Sequence, residues 1–166
     1  MPRLLACLFL PDPVAAAIRR VQTDVADYRP LLPPHLTLAP PVDDGFPVGA
    51  LRAACREVGP LDLVVGPPGS FPSAERVAFL QVTGPGLPGL ARLNRALGGT
   101  GDLVPHVTIV RGLSRELFDA TMAAAAGMRW AVRVDEVHVV SMTHDGARWR
   151  WEPYETLTLE SHAALP

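Results

Sequence analysis

His35-Leu36-Thr37-Leu38 and His106-Val107-Thr108-Ile109 share one pattern, an imidazole followed two residues later by a hydroxyl. Each tetrapeptide follows a proline, Pro34 or Pro105, and lies in a short apolar run of the kind that forms a buried strand. Side chains alternate faces along a strand, so His35 and Thr37 share one face, with Leu36 and Leu38 on the other. The same alternation sets His106 beside Thr108 and turns Val107 and Ile109 inward. Imidazole titrates near pH ~6.5 and gives or takes a proton near neutrality. Two copies converging on one polar site would supply a proton acceptor and a proton donor on opposite sides of a reacting group. One His-x-Thr tripeptide arises easily by chance. Two structural histidines at strand ends would leave both threonines and the repetition unexplained.

The elements that must position these residues are written twice. The first half reads as a strand at about 3–10, a helix at about 13–28 with Pro13 in its first turn and Asp12 as its cap, and a turn-rich stretch before the His35 strand. A helix at about 47–58 and a strand at about 61–65 complete it. The second half repeats the order: a strand at about 76–82, a helix at about 87–97, the Gly98-Gly99 break, the His106 strand, a helix at about 115–128 capped by Ser114, and a strand at about 130–140. His35 and His106 stand 71 residues apart, as do Val64 and Asp135. A last strand at about 148–159 pairs back across Asp145-Gly146, a hairpin dipeptide. The expected fold is α+β: two pseudo-twofold-related lobes, each an antiparallel sheet with helices on its outer face, flanking a central cleft. It forms a single bilobal domain of repeats 1–70 and 75–142 plus the C-terminal strand.

Composition narrows the chemistry. The 166 residues are 48% hydrophobic and 19% charged, which suits one packed domain. A net charge of −2 argues against coating long nucleic acid through a general basic surface. All 15 basic residues are arginine, so a phosphate contact falls to arginine, histidine, hydroxyls or backbone N–H groups. Cys7 and Cys55 belong to no Cys/His cluster, so they read as buried reduced thiols, and no metal site is expected. The apolar N-terminus ends in Pro11-Asp12-Pro13 rather than a signal-peptide cleavage site, and no run approaches a membrane span. The expectation is a soluble, cytoplasmic monomer without a membrane partner.

Nearly the whole chain resembles the 2H phosphoesterase superfamily, and within it the bacterial 2′-5′ RNA ligase / RNA 2′,3′-cyclic phosphodiesterase family. The likeness is carried by Pro33-Pro34-His35-Leu36-Thr37-Leu38, by Pro105-His106-Val107-Thr108-Ile109-Val110-Arg111, by the opening strand, and by Val134-Asp135-Glu136-Val137-His138-Val139-Val140-Ser141. The resemblance implies a metal-independent phosphodiesterase, without cofactors, that hydrolyses the 2′,3′-cyclic phosphate terminus of RNA or of a nucleotide to a 2′-phosphate. The same resemblance implies reversible 2′-5′ joining as a side activity. It implies His35 as proton donor and His106 as proton acceptor, roles that the pseudo-symmetry by itself leaves interchangeable. Thr37 and Thr108 would hold the non-bridging phosphate oxygens, and Arg111 would add a charge-assisted bond. Arg76 and Phe79 are further substrate-binding candidates. Phe79, Trp130, Trp149, Trp151 and Tyr154 are candidates for base stacking, of which at most one or two are expected to touch substrate. His138 reads as a strand-surface or satisfied core residue, and His144 and His162 as loop and tail positions. The alternatives are a phosphodiesterase for another small cyclic phosphate of the ADP-ribose type, and a non-catalytic RNA-end binding module.

Overall fold

Alternate residues of the strands are apolar, which leaves one face of a sheet to be covered, and the helices cover it. In the computed structural model, which describes residues 2–72 and 75–160, the strands are β1 (Arg3–Phe9), β2 (His35–Thr37), β3 (Leu61–Ser70), β4 (Val77–Thr83), β5 (His106–Arg111), β6 (Trp130–Val134), β7 (Glu136–His144) and β8 (Trp149–Thr158). The helices are α1 (Asp12–Arg20), α2 (Val48–Glu57), α3 (Leu87–Ala96) and α4 (Arg115–Ala125). Every strand pair is antiparallel, in one eight-stranded sheet of order β6-β3-β4-β5-β2-β1-β7-β8. Ala6, Leu8, Leu36, Val107, Ile109, Leu80 and Val139 line the covered face. They share one core with Val14 and Ile18 of α1, Leu51 of α2, Leu90 and Leu93 of α3 and Ala125 of α4. The α+β reading, with helices on the outer face, is what the structure shows.

The halves of the sheet do not follow the halves of the chain. β3 lies between β4 and β6, while β7 and β8 join β1 at the far edge. A short connection lets β3 and β4 pair as sequential antiparallel neighbours, the commonest arrangement. One sheet therefore runs through both repeats of the sequence, which meet at the β2/β5 seam, where Leu36 pairs with Val107.

Three local expectations change. Asp12 is the first residue of α1 and Pro11 takes the cap position with no side-chain bond, while Pro13 does sit in the first turn. The expected 13–28 helix keeps its α form to Arg20 and widens into a π-helical turn, Val21–Val25. There the Thr23 hydroxyl donates to the Arg19 carbonyl at 3.0 Å, a local bond that competes with the helix ladder. The expected 130–140 strand is two, broken at Asp135, because the chain leaves β3 there to cross to β1. The apolar alternation slips phase at that corner, from Val132 and Val134 to Val137 and Val139 across Asp135-Glu136. Ser114 caps α4 as expected, accepting from the Leu117 N–H at 3.3 Å.

Candidate active site

Pairing Leu36 with Val107 sets the two repeated tetrapeptides side by side at the middle of the sheet. Leu36 and Val107 are fully buried against the helices, while His35, Thr37, His106 and Thr108 are half-buried on the opposite, open face. The prolines shape what the rings can do. Proline carries no N–H, and it presents the carbonyl of the preceding residue to the histidine that follows. His35 Nδ1 meets the Pro33 carbonyl at 2.8 Å, and His106 Nδ1 meets the Val104 carbonyl at 2.9 Å. A carbonyl only accepts, so both Nδ1 atoms are the donors. Both rings are thereby held in one tautomer, and in the neutral form Nε2 is left with its lone pair. Burial is the main cause that holds the His35 pKa below the ordinary imidazole value. The Pro33 bond opposes it, and the nearby charges of His106 and Arg111 add to it. Those two groups act on His35 because the structure brings all three together.

Arg111 reaches this face through an irregularity. Strict alternation from Thr108 would turn Arg111 inward. Along β4 and β5, however, Phe79 pairs with Thr108 and the next residue, Ala78, pairs with Val110, so Ile109 is an extra residue on β5. Ile109 and Val110 both bury into the core. This bulge returns Arg111, opposite Val77, to the face that carries His106 and Thr108.

Aromatic rings stand on both sides of the histidines. Phe9 pairs across the sheet with His35, its ring 6.4 Å away, and lies 5.9 Å from Trp151 and 4.8 Å from His138. On the other side Phe71 and Phe79 meet the His106 ring edge-on at 4.9 and 5.4 Å and pack on each other at 4.4 Å. Gly69 permits this packing, since a Cβ there would lie 3.1 Å from the Phe79 ring. Phe79 and Trp151 are thus among the candidates placed at the site. Trp130 packs on the core, Trp149 rests against His144 at 5.2 Å, and Tyr154 is exposed elsewhere on β8. Arg76 donates to the Leu113 carbonyl at 3.3 Å and lines a hollow with Ser70, Phe71, Arg115, Phe118 and Asp119, one ring away from His106. His138 is half-buried, with Nε2 3.5 Å from Glu136 and Nδ1 3.2 Å from the Thr156 hydroxyl, as a satisfied strand residue should be. His144 is exposed at the β7 end, and His162 lies outside the described residues.

Phe9 and Phe71 were not singled out from sequence. For Phe9 a signal existed, since its strand pairs with the His35 strand and odd-numbered residues of β1 share the open face. Among the described residues no group of three or more His, Cys, Asp or Glu side chains could hold a metal ion. Cys7 and Cys55 are both free and buried, and burial pushes the Cys7 thiol up to about 12.

The family model of the 2′-5′ RNA ligase superfamily matches residues 10–146. No curated protein matches the sequence. Among solved structures, E. coli LigT complexed with 3′-AMP is 22% identical, with a TM-score of 0.69 over 97% of this chain and 100% of that one. The same protein in apo form gives 22% and 0.67 over 96% and 99%. TT0787 of Thermus thermophilus is 21% identical, with a TM-score of 0.63 over 95% and 97%. These likenesses establish the shared fold.

Proposed function

This chain belongs to the 2′-5′ RNA ligase superfamily, the 2H phosphoesterases, and from that premise we propose that it hydrolyses the 2′,3′-cyclic phosphate end of RNA or of a nucleotide to a 2′-phosphate without a metal. One observation carries the reading: both histidines donate Nδ1–H to a carbonyl two residues upstream, so each offers Nε2 to the open face with a threonine beside it. His106 Nε2 takes a proton from water as its oxygen bonds to phosphorus. The bond from phosphorus to the 3′ oxygen breaks on the opposite side, and His35 Nε2–H gives its proton to that departing oxygen. Thr37 and Thr108 donate to the non-bridging oxygens, and Arg111 balances the charge that builds there. In the empty site burial favours neutral His35. A phosphate monoanion entering beside it supplies the negative charge that raises its proton affinity, so the donor is loaded as substrate binds. Phe9 with Trp151, or Phe71 with Phe79, gives the base an aromatic face.

The test is an incubation with chelator, a 2′,3′-cyclic mononucleotide and a short cyclic-phosphate-ended RNA, resolving 2′- from 3′-phosphate products. The expected result is a 2′-phosphate that disappears in His35→Ala and in His106→Ala. No turnover of either substrate by the wild type, with or without chelator, overturns the reading.

A further inference from the structure

The seam that brings the two histidines together is thin. β2 is three residues long, and its register with β5 is a single pair, Leu36 with Val107. Two buried carboxamides lie under this seam. Gln22, 2% exposed in the π-helical turn of the first repeat, donates from Nε2 to the Ile109 carbonyl at 2.9 Å. Asn94, 7% exposed in α3 of the second repeat, donates from Nδ2 to the Leu38 carbonyl at 2.7 Å. Leu38 and Ile109 are the fourth residues of the two tetrapeptides and, like the histidines, stand 71 residues apart. Each repeat therefore grips the end of the other repeat's tetrapeptide. A neutral carboxamide suits the task, since it satisfies a buried carbonyl without burying a charge.

Neither side chain sits there for want of an alternative. Gln22 leaves its Oε1 buried with no partner among the described residues, so its place is set by the donor end. Asn94 is enclosed by the loop after α3. The Gly101 N–H donates to its Oδ1 at 2.9 Å, and a Cβ on Gly99 would lie 2.2 Å from that oxygen. The Ile109 carbonyl that Gln22 holds belongs to the extra residue of the β5 bulge, the irregularity that turns Arg111 onto the open face.

We propose that Gln22 and Asn94 are positioning residues, a crossed pair of carboxamide clamps that fixes the separation of His35 and His106 across the β2/β5 seam and holds the bulge behind Arg111. This rests on the reading of His35 and His106 as the reacting pair. Neither clamp touches substrate; both act through the backbone carbonyls of Ile109 and Leu38.

Gln22→Met keeps the shape, removes the donor and removes the unpartnered oxygen. Asn94→Asp keeps the acceptor for Gly101 and removes the donor. Three readouts apply: thermal unfolding, kcat and KM on a 2′,3′-cyclic mononucleotide, and the titration of His35 followed by NMR. For folded Gln22→Met the expectation is a kcat lower by about 10- to 100-fold, the scale of a small misplacement of reacting groups, with KM within about threefold. The His35 midpoint should also move up, because burial and then the charges of His106 and Arg111 hold it down, and a loosened seam weakens all three. A folded variant whose kcat and His35 titration both match the wild type overturns the proposal. If the wild type turns over no cyclic phosphate, the proposed reaction fails separately, and the His35 titration alone decides on the clamps. Should Gln22→Met not fold, Asn94→Asp decides by the same readouts. Unfolding of both variants marks the pair as stability elements and also overturns the proposal.

Discussion

Replacing Arg111 by Gln tests the β5 bulge and the phosphate site together. The guanidinium is exposed, yet its charge helps to hold down the proton affinity of His35. A hydrogen bond from a charged donor is worth about 1.5–3 kcal/mol, and solvent around an exposed arginine favours the lower half of that range. About 1.5–2 kcal/mol corresponds to a loss of roughly 10- to 30-fold in kcat/KM. Steady-state rates on a 2′,3′-cyclic mononucleotide, at low and moderate salt and with chelator present, measure that loss. NMR titration of His35 in the same variant should show its midpoint moving up, since a nearby positive charge has gone. Arg76→Gln is the control. Its guanidinium is engaged with the Leu113 carbonyl, and on a mononucleotide the expected change is within about twofold. If Arg111→Gln retains wild-type kcat/KM and an unmoved His35 titration, the bulge does not aim this side chain at the phosphate. An equal loss in Arg76→Gln would place the phosphate over the hollow beside α4 instead.

A cyclic substrate with sulfur in place of the 3′ oxygen leaves as a thiolate, which needs no proton because thiols titrate near pH ~8.5. Turnover of that substrate should recover in His35→Ala and not in His106→Ala; the opposite pattern would exchange the two roles. Burial also holds His138 below the ordinary imidazole value, as it does His35. Both groups bind fewer protons folded than unfolded, so their contribution to stability is full above pH ~6.5 and is lost as the pH falls through their lowered folded values. Urea unfolding from pH 8 to pH 5 should show that decline, and the His35→Gln, His138→Gln double variant should flatten it; an unchanged slope refutes the attribution. Leu8 is fully buried in the main core, so Leu8→Ala should cost about 2–5 kcal/mol in the same assay. A cost under about 1 kcal/mol would mean that the core collapses around the missing side chain.

Strand alternation and the two tetrapeptides were enough to place His35, Thr37, His106 and Thr108 on one face, because period-two patterning is a local property of the chain. What decides the rest is long-range. Arg111 reaches that face through a bulge defined by pairing with β4, and nothing in the run from Val107 to Arg111 marks Ile109 as the extra residue. Nothing in the sequence around Gln22 or Asn94 marks them, since their carbonyl partners lie 87 and 56 residues away. The crossing of the chain from β6, beside β3, to β7, beside β1, was hidden for a related reason. Asp135 is a one-residue corner where the alternation slips by one residue, and such patterning reports burial without reporting neighbours.

The duplication also shows where the symmetry is broken, and an in-line displacement needs it broken, since acid and base cannot be the same group in the same state. The 71-residue offset that relates the two histidines places Pro40 where β5 carries Arg111, so one tetrapeptide has a cation beyond it and the other has a chain stop. Register makes the same distinction on the neighbouring strands. Phe9 stands opposite His35 while Gln81 stands opposite His106, and Cys7 stands opposite Thr37 while Phe79 stands opposite Thr108. Burial of the His35 ring is the main cause of its lowered proton affinity. A group whose proton affinity is held down in the empty site and raised beside a bound anion donates most readily when substrate is present. On the proposed roles, the burial of His35 thus does more than lower one proton affinity: it ties loading of the proton donor to the arrival of the phosphate it serves.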